Sequence, residues 1–191
     1  MSSHLPLVRL ALRFAAAAAV AATMPAPTAA SPGAAIQLTP AAPGSAETRH
    51  LTLTTSATPA TAGPGQRVVL NLDVALKPKM HVYSPDQPKE QDYLPIALTI
   101  TAGDGFRLEK PRYPSSEKFF FAPLKETQHV YSKPFRITQP VVVTRDNAGE
   151  PLTITGTVRY QACDDVLCYV PQTVAVKWAI PVVGQPPVKE R

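Results

Sequence analysis

The sequence predicts an all-β protein that folds as a two-sheet sandwich. Apolar and polar residues alternate in short runs from Arg49 onward, which is the period-2 pattern of half-buried strands. Turn signals such as ATAGPGQ, TAGDGF and RDNAGE separate these runs, and most of the 22 prolines lie between runs or at their edges. No helical periodicity follows the first thirty residues. About seven to nine short strands in this arrangement predict a sandwich of immunoglobulin-like type.

The N-terminal segment predicts export from the cytoplasm. Two arginines precede an Ala-rich apolar run at residues 14–22, and small residues lead to Ala30, which favours a cleaved signal peptide at residues 1–30. The apolar run is about half of the ~20 residues that a membrane span needs, so an uncleaved anchor is the minor alternative. We expect a mature protein in the periplasm, without a membrane span, where a disulfide persists.

The remaining chain divides by composition. Residues 31–48 are rich in Ala, Pro, Gly and Ser and are predicted to be a flexible lead-in. The sandwich domain is placed at residues 49–184, before a tail at residues 185–191. A domain of this size buries a core without cross-links. The formal net charge of +5 is mild, and no basic block with interleaved aromatics occurs, so a nucleic-acid partner is not expected.

The predicted strands follow one another as alternating runs. LTLTT begins the series, QRVVLNLDVALK and LPIALTIT follow, and PFRITQPVVVT, PLTITGTVRYQA and TVAVKWAIPV complete it. In each run every second residue is apolar, so one face of the strand is expected to lie in the core. The residues assigned to these inward faces are Val68, Leu70, Leu72, Val74, Leu76, Ile96, Leu98, Ile100, Leu152, Ile154, Val158, Tyr160, Val174, Val176, Trp178 and Ile180.

Both cysteines lie in one stretch, RYQACDDVLCYVPQT at residues 159–173. Cys163 ends one predicted strand and Cys168 begins the next, so DDVL is expected to be a hairpin loop. Facing Cα atoms in such a hairpin lie ~4.5–5.5 Å apart, within reach of a disulfide. A bridge that closes about six residues stabilises a fold by only ~2 kcal/mol, against ~4 kcal/mol for one that spans some 65 residues. The residues alone leave a structural disulfide and a redox-active dithiol both open.

A metal site is the third alternative. Two cysteines cannot complete a tetrahedral zinc site, and the histidines lack ligand spacing. Met80 and His81 in KMHVYS offer a weak copper site together with the thiolates. As a dithiol, the pair lacks the C-x-x-C spacing at a helix N-terminus, and Asp164 and Asp165 are expected to raise a neighbouring thiol pKa. Such a pair is expected to receive electrons from an activated partner thiolate.

Four stretches in the same order resemble one family. YQACDDVLCYVPQTVAVKW, MHVYSP, YLPIALTI and PRYPSSEKFFFAPLKETQHVYSKPFRI closely resemble the N-terminal domain of DsbD, the thiol:disulfide interchange protein of the bacterial periplasm, over about residues 50–183. The resemblance implies an immunoglobulin-like domain that carries electrons on its cysteine pair, without a bound cofactor or metal. It also implies reduction by thioredoxin-like and membrane-embedded donors. The implied acceptors are oxidised periplasmic thiol proteins, such as disulfide isomerases or cytochrome c maturation factors.

The resemblance implies roles for individual residues. Cys168 matches the cysteine that forms mixed disulfides with partners, and Cys163 matches its resolving mate. The family has a cap loop whose aromatic ring covers the disulfide, and EKFFF lies at that position, with Phe120 the favoured lid. The cap candidates are Phe119, Phe120 and Phe121, and the pocket candidates are His81, Tyr83 and Tyr160. A half-exposed strand position is the alternative for His81.

Two departures accompany the resemblance. The loop between the cysteines is one residue shorter than in the best-studied member, so its reduction potential is expected to differ. The sequence also contains neither a membrane-embedded nor a thioredoxin-like domain, so the electron donors are expected on separate chains. The competing hypotheses are a non-catalytic immunoglobulin-like binding module with a structural hairpin disulfide and, third, a copper-binding protein.

Overall fold

The computed structural model describes residues 44–88, 93–146 and 150–183, and these residues form strands and no helix. The strands are β1 (Ser45–Glu47), β2 (Leu51–Thr58), β3 (Arg67–Leu76), β4 (His81–Tyr83), β5 (Ala97–Ile100), β6 (Phe106–Leu108), β7 (Glu117–Phe121), β8 (Glu126–Tyr131), β9 (Phe135–Val143), β10 (Pro151–Tyr160), β11 (Ala162–Cys163) and β12 (Gln172–Pro181). The all-β prediction is confirmed. The number of strands exceeds the prediction because several have only two or three residues, too few for alternation to mark them.

The strands form three hydrogen-bonded sheets, with the orders β1-β2-β3-β9-β6, β12-β10-β5 and β11-β4-β8-β7. The apolar faces of the first two sheets enclose one cluster of buried residues, called the main core below. The residues predicted to face inward are buried there, and only Leu76 and Ile100 are partly exposed. The indole N–H of Trp178 on β12 donates to the carbonyl of Asn71 on β3 at 3.0 Å, which ties the two sheets together.

Close strand packing in the second sheet depends on one glycine. Gly156 on β10 lies opposite Ile100 on β5. A Cβ atom at this position would lie 2.5 Å from the carbonyl oxygen of Thr99, closer than any side chain tolerates. The absence of a side chain therefore lets β5 pair with β10 and extends the sheet beside the main core.

The third sheet positions the cysteines. The chain leaves β10 at Tyr160 and, two residues later, joins β11, which pairs with β4 instead of β12. Strands that switch sheets in this way form the corners of sandwiches. The switch removes Cys163 from the main core and places it in a second buried cluster with Tyr83 and Val130. We call this second group the Cys163 cluster; Tyr93 and Phe119 pack against it.

The chain boundaries differ in detail from the sequence prediction. Within the predicted lead-in, Ser45–Glu47 form β1, because their backbone pairs with the edge of β2 and Ala46 packs against the main core. The predicted signal peptide and residues 31–43 lie outside the described residues, as do residue 184 and the predicted tail. In the described part of the chain, no helix has the length and apolar character needed to cross a membrane.

Candidate redox site

The two cysteines are joined on a tight hairpin. Cys163 and Cys168 form a disulfide, and their Cα atoms lie 4.0 Å apart in an antiparallel bridge. Beyond the bridge, the backbone N–H of Tyr169 donates to the carbonyl of Ala162 at 2.8 Å. The predicted hairpin with DDVL as its loop is therefore present in the structure.

The Asp164 carboxylate organises this loop. Its Oδ1 accepts hydrogen bonds from the backbone N–H groups of Val166 (2.8 Å) and Leu167 (2.9 Å), and its Oδ2 accepts one from the Tyr169 hydroxyl (2.8 Å). The bonds from the Leu167 and Val166 backbone, followed by the bond from Tyr169, lower the pKa of Asp164. The carboxylate is thus ionised at neutral pH and fixes the loop between the two sulfur atoms.

The two sulfur-bearing residues differ in accessibility. Cys163 is 0 % exposed, whereas Cys168 is an exposed residue. Attack on a disulfide needs access along the S–S axis to one sulfur, and the other sulfur leaves as a thiolate. In this arrangement an external thiolate can reach the exposed Cys168, and Cys163 would then be the leaving group.

Tyr83 is the polar neighbour of both sulfurs. Its hydroxyl oxygen lies 3.3 Å from Cys168 Sγ and 3.6 Å from Cys163 Sγ. A sulfur atom in a disulfide carries no hydrogen, so the tyrosine hydroxyl is the donor in both contacts. Burial, helped by the nearby Tyr93 and Glu126, raises the pKa of Tyr83 to about 12. The phenol therefore keeps its proton at neutral pH and remains a donor when a thiolate forms.

His81 lies directly beside the buried cysteine. It pairs with Cys163 across the β4–β11 ladder and is 3 % exposed, so the alternative of a half-exposed strand position does not hold. Its Nε2 is buried without a hydrogen-bond partner among the described residues. Burial lowers the pKa of His81, and the charges of Asp165 and Asp164 oppose this only in part. The imidazole is therefore neutral at pH 7.

The three cap candidates lie on a strand and point to alternate sides. EKFFF forms β7, so Phe119 and Phe121 share one face of the sheet and Phe120 lies on the other. The ring of Phe119 lies 4.6 Å from the His81 ring and packs against the Cys163 cluster. Phe120, the residue favoured from the sequence, is 62 % exposed and does not belong to this cluster. Because successive side chains of a strand point to opposite faces, Phe119 lies at the site and Phe120 faces away from it.

Tyr160 is not brought to the sulfurs. It belongs to the main core, where its hydroxyl donates to Gln172 Oε1 at 2.7 Å and contacts the Thr48 hydroxyl at 2.9 Å. The physical reason is that the chain changes sheets here. Tyr160 is the last residue of β10 in the second sheet, whereas Cys163 lies on β11 in the third sheet.

Two residues of the site were missed by the sequence analysis. The ring of Tyr93 stacks on Tyr83 with centroids 4.4 Å apart. Gln128 on β8 is 0 % exposed, and its Nε2 donates to the Tyr93 hydroxyl at 3.1 Å. The alternation of side chains along a strand could have revealed Gln128. Gln128 and the apolar Val130 are two residues apart on β8 and therefore share its buried face.

The described residues contain no group of three or more His, Cys, Asp or Glu side chains placed to hold a metal ion. Met80, the proposed companion of His81 in a copper site, packs against the main core, whereas His81 faces the Cys163 cluster. In this structure the two sulfurs bond to each other. The copper hypothesis therefore lacks a described ligand set.

Fold and site together define a class, a β-sandwich domain that presents one sulfur of a hairpin disulfide to solvent and buries the other. The chain belongs to the family of the N-terminal domain of the thiol:disulfide interchange protein DsbD, whose sequence profile matches residues 48–179. Membership confirms the resemblance predicted from the sequence and the immunoglobulin-like class of the sandwich, and it makes thiol:disulfide interchange the chemistry of the family.

Solved structures show similar chains. The N-terminal periplasmic domain of ScsB from Proteus mirabilis aligns with a TM-score of 0.48 and 14% identity, covering 68% of this chain and 46% of that chain. The reduced N-terminal domain of Neisseria meningitidis DsbD aligns with a TM-score of 0.39 and 20% identity, covering 59% and 75%. The GAE domain of yeast GGA1 aligns with a TM-score of 0.41 and 13% identity, covering 71% of this chain and 95% of that chain. The match thus spans less than half of the ScsB chain. A search of curated protein sequences found no match.

Proposed function

We propose that this protein relays electrons through Cys163 and Cys168 to oxidised thiol proteins of the periplasm. The observation that carries the proposal is the difference between the two cysteines, since Cys168 is exposed and Cys163 is 0 % exposed. A structural bridge gains nothing from an exposed sulfur, whereas exchange requires one. The family's thiol:disulfide interchange chemistry supports the same conclusion.

Reduction of the disulfide proceeds in two exchanges. A thiolate of a donor protein attacks Cys168 Sγ, the Cys163–Cys168 bond breaks, and Cys163 leaves as a thiolate that takes up a proton. The second thiol of the donor then attacks its own sulfur in the mixed disulfide, and Cys168 leaves as a thiolate. The donor dithiol is oxidised by two electrons, and the cysteine pair gains two electrons and, at neutral pH, two protons. The reverse sequence reduces the acceptor disulfide.

The surroundings of Cys163 support its role as leaving group. A thiolate at this buried position loses hydration, which disfavours the charged form. The Tyr83 hydroxyl, 3.6 Å from Cys163 Sγ, supplies a hydrogen bond to that charge. Hydrogen bonds to charged groups stabilise by ~1.5–3 kcal/mol, enough to offset part of the desolvation. Neutral His81 adds no positive charge, so Tyr83 is the main stabilising contact we assign.

Partner contact is assigned to the hairpin and its aromatic neighbour. Val166 and Leu167 in the loop and Val170 after Cys168 are large apolar side chains that are exposed by 74%, 48% and 82%. Exposed apolar side chains around a reactive atom suit a transient protein partner. We assign the covering role of the cap to Phe119, because its ring packs against the Cys163 cluster and lies 4.6 Å from the ring of His81. A partner that docks on the hairpin then displaces this ring.

The partners and the periplasmic location in this proposal follow from the predicted export signal and the family. The donors are thioredoxin-like and membrane proteins on separate chains, and the acceptors are oxidised periplasmic thiol proteins. No bound cofactor takes part, because the disulfide itself carries both electrons. The sandwich domain at residues 49–184 is the unit to which we assign this activity.

A trapping experiment tests the relay. Cys163→Ala is exported to the periplasm of a host cell, so that Cys168 retains partners as mixed disulfides that resist resolution. Non-reducing electrophoresis followed by mass spectrometry is expected to find covalent adducts with thiol proteins. A matched control carries Ala179→Cys in a Cys163→Ala/Cys168→Ala chain, which places one exposed thiol on β12, away from the hairpin. Adducts no more abundant than in this control would leave the non-catalytic binding module as the better interpretation.

A further inference from the structure

Tyr169, the residue after Cys168, is hydrogen-bonded to three residues around the buried cysteine. Its backbone N–H donates to the Ala162 carbonyl at 2.8 Å, and its own carbonyl accepts from Gln161 Nε2 at 3.0 Å. Its hydroxyl lies 2.8 Å from Asp164 Oδ2. Because an ionised carboxylate only accepts hydrogen bonds, the tyrosine hydroxyl is the donor in this contact. Tyr169 therefore joins the second arm of the hairpin to the residues on both sides of Cys163 in the sequence.

The hydroxyl bond closes a loop of the same length as the disulfide does. Asp164 directly follows Cys163, and Tyr169 directly follows Cys168. The disulfide and the hydroxyl bond each span five positions in sequence. The other hydrogen bonds of the Asp164 carboxylate come from backbone N–H groups inside the loop. The bond to Tyr169 is thus a second, non-covalent cross-link, displaced by one residue from the disulfide.

Contacts outside the hairpin hold the Tyr169 ring in place. The ring centroid lies 4.5 Å from that of His50, a residue that is 4 % exposed. The guanidinium carbon of Arg49 lies 5.7 Å from the centre of the ring, within the range of a cation–π interaction. The ring also packs against the main core. Since the sandwich already orders the ring, its hydroxyl reaches Asp164 with little further loss of conformational freedom.

We infer that Tyr169 is a positioning residue for thiol–disulfide exchange, which keeps Cys163 and Cys168 close together when the bond between them is broken. The inference rests on the proposed function, since it concerns how the two cysteines act in succession during the proposed exchange. With the disulfide open, the bonds of Tyr169 to Asp164 and Ala162 still connect the two arms of the hairpin. Reactive groups held near each other in this way react as if each were present at a high concentration.

The first consequence concerns the equilibrium between disulfide and dithiol. The disulfide and the hydroxyl bond close the same loop, so each reduces the entropic cost of forming the other. The hydroxyl bond of Tyr169 therefore favours the disulfide over the dithiol and makes the reduction potential of the pair more negative. A bond that stabilised the oxidised and reduced forms equally would leave this potential unchanged, so the potential separates a positioning role from a purely structural one.

The second consequence concerns the mixed disulfide on Cys168. To resolve it, the Cys163 thiolate attacks Cys168 Sγ, the bond between the cysteines forms again, and the partner sulfur leaves as a thiolate. The hydroxyl bond from Tyr169 to Asp164 keeps the attacking sulfur near its target during this step. Loss of the hydroxyl is therefore expected to prolong the life of the mixed disulfide.

The test is the equilibrium of the full-length chain with reduced and oxidised glutathione. Formation of the protein disulfide consumes one oxidised glutathione and releases two reduced ones, and thiol alkylation with mass spectrometry gives the ratio of the two protein forms. Tyr169→Phe keeps the ring and removes only the hydroxyl. It is expected to lower the equilibrium constant for disulfide formation by about threefold to tenfold, the size of one hydrogen bond. In an Asp164→Ala background the same substitution is expected to have no effect, since the hydroxyl has lost its acceptor.

Tyr131→Phe is the matched control, because its hydroxyl donates to the Pro114 carbonyl, outside the hairpin. This variant is expected to keep the wild-type equilibrium constant. An unchanged constant in Tyr169→Phe, or an equal decrease in the control or in the Asp164→Ala background, would overturn the inference.

A kinetic measurement gives a second route to the same answer if the Asp164→Ala chain does not fold. The mixed disulfide between Cys168 and glutathione is expected to persist about threefold longer in Tyr169→Phe than in the wild type. An equal lifetime in the two chains would contradict the inference. Glutathione takes the place of partner proteins in both measurements, so a failure to trap partners and a failure of this coupling are separate results.

Discussion

The main core and the Cys163 cluster belong to the same sandwich but are built from different side chains. Long strands with strict alternation supply the main core, whose members are mostly aliphatic. Short strands supply the Cys163 cluster, and the hydroxyl of Tyr83, the imidazole of His81 and the amide of Gln128 are buried in it or on the same strands. Apolar burial stabilises a fold, whereas buried polar groups cost free energy unless each one is paired. The contrast indicates that the first region holds the fold and the second holds the chemistry.

The largest effect is expected from a change in the main core. Ile154 on β10 is 0 % exposed, and Ile154→Ala is expected to lower the free energy of unfolding by about 2–5 kcal/mol through lost contacts and a residual cavity. Urea denaturation followed by tryptophan fluorescence measures this loss. The rate at which dithiothreitol reduces the disulfide in the folded protein is expected to stay unchanged. A changed rate would show that the two regions are not independent.

Phe119→Ala is the matched change in the second region. Since Phe119 is only partly buried, the free energy of unfolding is expected to fall by about 1–2 kcal/mol, less than for the core variant. Reduction of the disulfide by dithiothreitol is expected to be faster by roughly threefold to tenfold, because the covering ring is gone. Phe120→Ala, on the opposite face, is the control. Faster reduction in the Phe120 variant alone would return the cap role to Phe120.

Breaking the disulfide is expected to have a moderate effect on stability. The bridge spans only five positions in sequence, so reduction is expected to lower the free energy of unfolding by about 2 kcal/mol. The far-ultraviolet circular dichroism of the reduced protein is expected to remain that of a β protein. Loss of cooperative unfolding upon reduction would instead identify the bridge as a structural staple and argue against exchange.

The smallest effect concerns pH and compares two buried histidines. Burial lowers the pKa of His81, which lies beside Cys163, and of His50, whose ring lies 4.5 Å from that of Tyr169, below 6.5 in the folded protein. The unfolded chain binds protons at pH values where the folded protein excludes them, so stability decreases as pH falls below 6.5. Each histidine contributes at most ~1.4 kcal/mol per pH unit to this decrease.

His81→Gln and His50→Gln are each expected to remove part of that slope, and the double variant most of it. Urea denaturation at several pH values between 5 and 8 provides the measurement. A slope that is the same in the wild type and in the double variant would mean that other groups determine the acid sensitivity.

The sandwich was predictable wherever a strand had enough residues to show alternation. The inward residues of β3, β10 and β12 follow directly from period 2, because one face of each strand is buried. Strands of two or three residues, such as β11, carry no such signal. Alternation predicted an inward position for Tyr160, whereas the resemblance predicted a place at the sulfurs. The sequence gives no indication that the chain changes sheets after Tyr160, so it did not show that only the core position applies.

The site was predictable in its chemistry but not in its detailed geometry. The structure places His81 and Tyr83 beside the cysteine hairpin. Their roles there stay predictions from the resemblance, which compares residues in order along the chain. The preference for Phe120 ignored strand parity, which separates neighbouring residues onto opposite faces. Gln128 was overlooked because a polar residue in a strand usually faces solvent, and only its tertiary contact with Tyr93 explains its burial.

The single exposed sulfur of Cys168 has a kinetic consequence for the proposed relay. Donor and acceptor proteins must use the same atom in turn, so a ternary complex of the two with this domain cannot carry out exchange. Steady-state rates then follow a substituted-enzyme pattern, with parallel lines in double-reciprocal plots as the concentrations of donor and acceptor are varied. In this proposal the domain is a shuttle that visits its partners alternately, and an excess of one partner competes with the other for access.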